Sequence, residues 1–310
     1  MHKEALEKTY RQIKPYIHRT PTLRSRLINE ITGSEIVFKC ENFQRMGAFK
    51  MRGATNAILN LSPEQQKKGV VTHSSGNFAQ ALSLAAKSVG IPAYIVMPTS
   101  APMVKRNAVK GYGGEIILCE PTLEARERTA RQVELSKGAT FIHPSNDLDV
   151  ILGQGTACME LLEDHSDLTS IVTPVGGGGL LAGTALATFN FGNNCKVYAG
   201  EPAAADDAYR SLESGKIETN RSADTIADGL KTNLGDQNFP IIQQLVSGII
   251  LVEETEIIAA MKLIYERMKI VVEPSSAVAL AAVLKEPSFK KQKVGIILSG
   301  GNVDLSELPF

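Results

Sequence analysis

Lys50 is the residue with the most chemistry in this 310-residue chain, set in Phe43-Gln44-Arg45-Met46-Gly47-Ala48-Phe49-Lys50-Met51-Arg52-Gly53-Ala54. An apolar run, Ile36 to Cys40, precedes it, and a helical run, Ala54 to Leu59, follows. Such a lysine sits at a strand-to-helix turn, near a helix N-terminus, where an ammonium is disfavoured and the amine is open to a ligand. A free amine at neutral pH is what Schiff-base formation with a carbonyl group requires. A solvated loop lysine is the ordinary alternative, and three further stretches weigh against it.

The first is His73-Ser74-Ser75-Gly76-Asn77, after the apolar Val70-Val71. It offers two hydroxyls and an amide at the start of a helix, more than an N-cap needs. The second is the run of four glycines, Gly176, Gly177, Gly178 and Gly179, after Val175. Backbone N–H groups with no Cβ in the way, at a helix N-terminus, make an anion cradle, and phosphate is its natural guest. No Walker pattern is present, which disfavours a nucleoside triphosphate. The third is Leu298-Ser299-Gly300-Gly301-Asn302, where the Ser299 hydroxyl can hydrogen-bond a ring nitrogen without adding charge. A fourth strand end carries Glu201, Asp206 and Asp207, which reads equally as a hard-cation site or an acidic surface loop.

The elements that must place these residues alternate. Apolar runs near 36–40, 69–72, 93–97, 115–118, 140–142, 170–175, 196–200, 248–252 and 294–298 predict strands. Helical spacing predicts helices over 3–16, 25–32, about 51–59, 77–88, 102–112, 123–137, 155–164, 180–191, 254–268 and 275–284, with 62–69 a polar bridge and 224–235 loop-like. Strand–helix alternation of this kind means parallel strands with right-handed crossovers, an α/β fold. In open α/β sheets ligands lie beyond the carboxyl ends of strands, where these motifs fall. The length suits two lobes, and the alternation over 69–146 is the candidate for one inserted in the other.

Composition narrows the function classes. Lysine plus arginine equals aspartate plus glutamate at 33 each, so nothing points to nucleic acid or an anionic membrane. Cys40, Cys119, Cys158 and Cys195 stand singly, as expected of thiols in a reducing compartment. The start, Met1 to Glu7, is a charged helix start without a secretory core, and no apolar run reaches the roughly 18 residues of a membrane span. A soluble, cytoplasmic protein is expected. Two other readings exist. Gly177-x-Gly179-x-x-Ala182, with Glu201 after the next strand, loosely fits a dinucleotide fingerprint and an NAD(P)-binding oxidoreductase. That match puts alanine at the third glycine and leaves Lys50 and Ser75 without a task. In a non-catalytic small-molecule-binding lobe a reactive lysine would be surplus.

Taken together and in this order, Lys50, Ser-Ser-Gly-Asn, the tetraglycine loop and the terminal Ser-Gly-Gly-Asn resemble the fold-type II pyridoxal phosphate enzymes. The wording Ala48-Phe49-Lys50-Met51-Arg52-Gly53-Ala54, with Thr20-Pro21, Gly153-Gln154-Gly155-Thr156, Glu273-Pro274 and Asn302-Val303-Asp304, is similar to the serine/threonine dehydratase and serine racemase branch. The resemblance implies a two-lobed, tryptophan synthase β-like fold of parallel twisted sheets with helices on both faces. Residues 1–68 and 147–310 would form the large cofactor-binding domain and 69–146 the small one.

It also implies roles. Lys50 would carry pyridoxal 5′-phosphate and act as base at Cα, with Phe49 against the ring, Asn77 at the ring 3′-oxygen, Ser299 at the pyridine nitrogen and Gly176 to Gly179 on the phosphate. Ser74, Ser75, Gly76 and Asn77 would hold the substrate carboxylate, and Ser75 would face Lys50 across Cα as a second proton carrier. Glu201, Asp207 and the carbonyl of Ala205 would bind Mg²⁺, or Ca²⁺ or Mn²⁺. The implied activity is racemisation or β-elimination of L-serine, L-threonine or a similar β-hydroxy amino acid, with threo-3-hydroxyaspartate as the alternative substrate. The partner set is a small amino acid and a second copy of the chain, a homodimer. Two positions depart from the branch: Phe78 stands where histidine is usual, and Ser145 where asparagine is common.

Overall fold

Runs such as Ile36-Val37-Phe38 and Ile296-Ile297-Leu298 have no polar face, so each must be covered on both sides. The computed structural model describes residues 2–310 and covers them in that way; Met1, named above with the N-terminal stretch, lies outside the described residues. The strands are β1 Thr22–Leu23, β2 Glu35–Cys40, β3 Val70–His73, β4 Ala93–Pro98, β5 Glu115–Cys119, β6 Thr140–Phe141, β7 Ser170–Pro174, β8 Lys196–Pro202, β9 Gly248–Val252 and β10 Lys293–Leu298. The helices are α1 Lys3–Ile13, α2 Arg26–Thr32, α3 Lys50–Leu59, α4 Pro63–Lys68, α5 Asn77–Val89, α6 Met103–Gly111 and α7 Leu123–Lys137. They continue with α8 Leu148–Asp164, α9 Gly179–Phe191, α10 Asp207–Ser214, α11 Phe239–Leu245, α12 Glu254–Met268 and α13 Pro274–Lys285.

Six strands form one sheet in the order β1-β2-β10-β7-β8-β9, and four form another, β5-β4-β3-β6. Every pairing is parallel except that of β1 with β2. Alternate residues of the larger sheet enter different cores. Ile36, Phe38, Val172, Ile296 and Leu298 pack with α12 and α13, while Val37, Ile171 and Ile297 pack with α1, α8 and α9. The smaller sheet repeats the scheme, Val70, Ile95 and Met97 facing α5 and Val71, Tyr94 and Val96 facing α7. Among the described residues no helix is long and apolar enough to cross a membrane.

Two readings of the chain need correction, and three elements were not anticipated. The polar bridge over 62–69 contains α4, because Ser62 and Gln65 close a reciprocal capping box and Pro63 presets the first turn. The helix expected over 155–164 begins at Leu148, capped by the Asp147 side chain on Val150 N–H. Two of its glycines meet other helices: a Cβ on Gly153 would come 2.6 Å from the Arg52 carbonyl of α3, and one on Gly155 2.7 Å from the Gly183 carbonyl of α9. Thr22–Leu23 pairs antiparallel but is too short for any period to reveal. Finally, α10 and α11 lie in a stretch that showed no helical signal, and part of the acidic loop is the first turn of α10.

Candidate functional site

The loop before α3 is built to hold Lys50 against the end of β10. Leu298 pairs with Cys40, so Ser299 to Asn302 run on beside the segment that leaves β2. That segment is bound to them at three points: Phe49 N–H to the Ser299 carbonyl (3.0 Å), Gly301 N–H to the Gly47 carbonyl (2.9 Å), and Asn302 Nδ2 to the Met46 carbonyl (2.9 Å). The reversal needs two successive left-handed residues, Met46 at φ 54° and Gly47 at φ 79°. At Gly47 a Cβ would also meet Asn302 Oδ1 at 2.6 Å.

Lys50 emerges half-buried between two aromatic rings, its Nζ 5.0 Å from the Phe49 centroid and 5.7 Å from that of Phe78. Its hydrogen bond goes to the Pro144 carbonyl, at 2.8 Å. Burial lowers the amine to about 8, opposed by the Glu273 carboxylate. Part of the lysine is therefore neutral at physiological pH, the condition for nucleophilic chemistry.

The residue after Pro144 ties the amine to the glycine loop. Ser145 is buried against Gly177 and Gly179, whose added Cβ atoms would lie 2.5 Å from its Oγ and 3.0 Å from its Cα. Gly176 is hemmed in likewise, a Cβ there falling 2.6 Å from Leu230 Cα. Gly178 has φ 81° and caps α9. Four buried glycines at the N-terminus of a 13-residue helix leave N–H groups with no side chain to cover them. The donor set fits a phosphate monoester with a carbonyl group within reach of Lys50, which is what pyridoxal phosphate presents.

Two residues that the sequence did not single out shape this cradle. Asn238 is fully buried; its Nδ2 donates to the carbonyls of Ser145 (3.1 Å) and Gly177 (2.9 Å), which turns two acceptors away from an anion. His143 Nδ1 accepts the backbone N–H groups of Ser145 (3.2 Å) and Asn146 (2.8 Å), shaping the turn that carries Pro144. Burial, with His73 and Lys50 nearby, lowers His143 to about 4, so the ring is neutral. A lone asparagine and histidine inside loops carry no periodic signal, so only three-dimensional contact reveals them.

Asn77 opens α5 and donates from Nδ2 to both oxygens of Glu273, at 2.9 and 3.0 Å. Ser74, Ser75 and Gly76 are half-buried in the loop before it, with nothing within 4 Å of a Cβ placed on Gly76. Ser299 is buried at the end of β10. Phe78, the departure from the branch pattern, is buried with its ring toward the Lys50 amine rather than on a surface.

Glu201, Ala205 and Asp207 are also buried. Glu201 accepts from Ala208 and Tyr209 N–H, both at 2.8 Å, and so caps α10 from the adjoining strand. Asp207 accepts from Leu234 N–H at 3.1 Å through Oδ2, while its buried Oδ1 has no partner. Burial raises Glu201 to about 8 and Asp207 to about 6. Asp206 is turned away into an ion pair with Arg210. Among the described residues there is no cluster of three or more His, Cys, Asp or Glu able to hold a metal; this trio has two carboxylates and a backbone carbonyl.

Comparison with known proteins extends over the same residues. The family described as "Pyridoxal-phosphate dependent enzyme" matches residues 13–300. A serine racemase of Dictyostelium discoideum is 53% identical over 98% of this chain and 95% of its own. A beta-hydroxyaspartate dehydratase of Paracoccus denitrificans is 48% identical over 97% of this chain and 96% of its own. The solved structure of maize serine racemase superimposes with a TM-score of 0.96 at 47% identity, covering 98% of this chain and 94% of that one.

Proposed function

The chain belongs to the pyridoxal-phosphate-dependent enzymes, and on that premise we propose that it racemises L-serine or a similar β-hydroxy amino acid and eliminates its hydroxyl, giving the enantiomer or a 2-oxo acid plus ammonia. One observation carries the reading: the half-buried Lys50 amine is bonded to Pro144, whose neighbour Ser145 packs on the glycine loop. Amine and anion cradle thus share one short segment.

Bound there, pyridoxal phosphate supplies the electron sink that makes the substrate Cα–H acidic. The glycine loop would hold its phosphate, Phe49 would pack on the ring, Ser299 would meet the ring nitrogen as a neutral hydroxyl, and Asn77 would meet the 3′-oxygen. Lys50, released by the incoming amino group, would take the Cα proton. Ser75 would return one from the opposite face, and Ser74 with the Gly76 and Asn77 backbone would hold the carboxylate. Residues 1–68 and 147–310 are assigned to the cofactor lobe and 69–146 to the small lobe, in keeping with the separate sheet of strands β3 to β6. Glu201, Asp207 and the Ala205 carbonyl are assigned to a divalent cation, Mg²⁺, Ca²⁺ or Mn²⁺; the partnerless Asp207 Oδ1 supports this. A cytoplasmic homodimer completes the proposal.

The test is direct. Purified protein loaded with pyridoxal phosphate is mixed with L-serine, and pyruvate and D-serine are measured. Both should form, and Lys50→Ala should abolish both; turnover surviving that change would end the reading. Ser75→Ala should reduce D-serine more than pyruvate, whereas equal losses argue against a second proton carrier. The similarity to a hydroxyaspartate dehydratase makes threo-3-hydroxyaspartate the second substrate to compare, by kcat/KM against L-serine.

A further inference from the structure

Glu273 takes no part in the proposed reaction, yet it is a buried carboxylate among the site residues. It precedes α13, is 3% exposed, and is fixed by its backbone N–H on the Gly300 carbonyl at 3.1 Å. Gly300 lies close over it: a Cβ there would come 3.0 Å from Glu273 Oε1 and 3.0 Å from Ala48 Cβ. Burial raises Glu273 to about 7, opposed by the Asn77 hydrogen bond and helped by Asp228. Lys50 and Lys105 are the cations that act on it.

Its partner is the Asn77 side chain, whose other end is also held. Asn302 Nδ2 donates to Asn77 Oδ1 at 2.9 Å and to the Met46 carbonyl at 2.9 Å. A primary amide has two faces that differ only in hydrogen-bond sense. Between an ionised Glu273 and the Asn302 NH₂ only one sense is allowed. Turned over, the Asn77 oxygen would face the Glu273 oxygens and its NH₂ would face the NH₂ of Asn302, so its bonds to both neighbours would be lost. The two oxygens of one carboxylate also subtend too small an angle to take both N–H bonds of one amide. One N–H therefore points between them and the second is aimed elsewhere.

We propose that Glu273, with Asn302 at the far end, is a positioning residue that locks the Asn77 amide in one sense and presents its second N–H as a donor toward the cofactor ring. This rests on the assignment of pyridoxal phosphate to the site. The lock joins three parts of the fold, since Asn77 begins α5 on the smaller sheet, Glu273 precedes α13, and Asn302 follows β10 and holds the Lys50 loop. A donor fixed before the ligand arrives need not be reoriented on binding, and buried hydrogen bonds to charged groups are the strong ones.

The test uses the whole chain freed of cofactor and titrated with pyridoxal phosphate, reading the dissociation constant and the visible spectrum of the bound form at fixed pH. Glu273→Ala lets the amide turn; the dissociation constant should rise about tenfold and the ratio of the cofactor's absorbance bands should change. Glu273→Gln can keep an acceptor toward Asn77 and should recover most of the affinity and the wild-type spectrum. Asn302→Ala, which frees the other end, should shift the spectrum in the same direction as Glu273→Ala. It serves as the reading if Glu273→Ala fails to fold. Wild-type spectrum and affinity in both Glu273→Ala and Asn302→Ala would overturn the proposal while leaving the cofactor assignment intact. A wild-type protein that takes up no pyridoxal phosphate would remove the assignment and this inference with it.

Discussion

Lys50 shows how position alone shifts the titration of a common side chain. Two aromatic rings and a proline carbonyl replace water around its amine, and burial brings its pKa to about 8. A rate that needs the neutral amine should then follow its titration. Uptake of pyridoxal phosphate by the cofactor-free chain, read as the growth of visible absorbance, should quicken as pH rises from about 6 to about 8 and level off above it. A rate independent of pH across that range would show that the amine is not the attacking group. Stability should carry the same signature with a definite sign. The folded chain releases the Lys50 proton near 8 and the unfolded chain near 10.5. The folded state is thus penalised below about 8 and regains stability as pH climbs through that window. Lys50→Met should therefore stabilise the cofactor-free chain at about pH 7, by about 1–2 kcal/mol after discounting for partial exposure, and less at about pH 10. Urea unfolding at the two pH values checks this.

At the scale of elements, the four residues of the glycine loop do not lack side chains for one common reason. Gly176 faces backbone, with Leu230 Cα 2.6 Å from a would-be Cβ, whereas Gly177 faces the ends of the Ser145 and Thr232 side chains, at 2.5 and 2.9 Å. Side-chain ends can rotate and a backbone cannot. Gly176→Ala should thus cost about 1–3 kcal/mol of stability and Gly177→Ala less, while both weaken cofactor binding. Thermal unfolding with and without pyridoxal phosphate separates the two effects. Equal costs in the cofactor-free chain would contradict this contrast between backbone and side-chain neighbours. The loop also illustrates what is legible in a sequence. The nine apolar strands, the glycine run and the Lys50 turn were legible because each is a local pattern, periodic or compositional. The helix α10 was not, because its N-terminus is capped by Glu201 from a neighbouring strand. Nor were the roles of Asn238, His143 and Glu273 legible: Asn238 and Glu273 act on loops distant in sequence, and His143 shapes its own turn without any periodic signal. The first turns of α8 were missed although the Asp147 cap was present in the sequence; Gly153 and Gly155 within it are close contacts with other helices.

At the scale of the whole molecule, the site depends on α3 keeping one place between β2 and α8, and a buried ionic knot two residues beyond Lys50 fixes that place. Arg52 donates to Glu41 from Nε and Nη2 at 2.7 and 2.8 Å, and to Glu160 from Nη1 and Nη2 at 3.0 and 2.8 Å. Lys39 Nζ adds a bond to Glu160 at 2.6 Å and one to the Thr20 carbonyl at 2.8 Å. All four side chains are at 0% exposure, with two positive charges balancing two negative ones. Such a knot contributes little net energy compared with an apolar core, but removing one partner strands the others without water. Arg52→Met leaves two carboxylates facing the single charge of Lys39, and should cost about 3–5 kcal/mol. A loss below about 1 kcal/mol in urea unfolding would mean that water reaches the cluster. Acid gives a second reading with a fixed sign. Burial alone would raise Glu41, but Arg52 and Lys39 outweigh it and hold the carboxyl below its ordinary 4.5. Its stabilisation is therefore complete above about 4.5 and is lost only as pH falls through the lower folded value. In Arg52→Met the guanidinium that lowers Glu41 is gone, so acid unfolding should begin at a higher pH than in the wild type. An acid transition at the same pH in both proteins would show that Glu41 is not held by Arg52, and would leave Glu160 on α8 as the ionic anchor of α3.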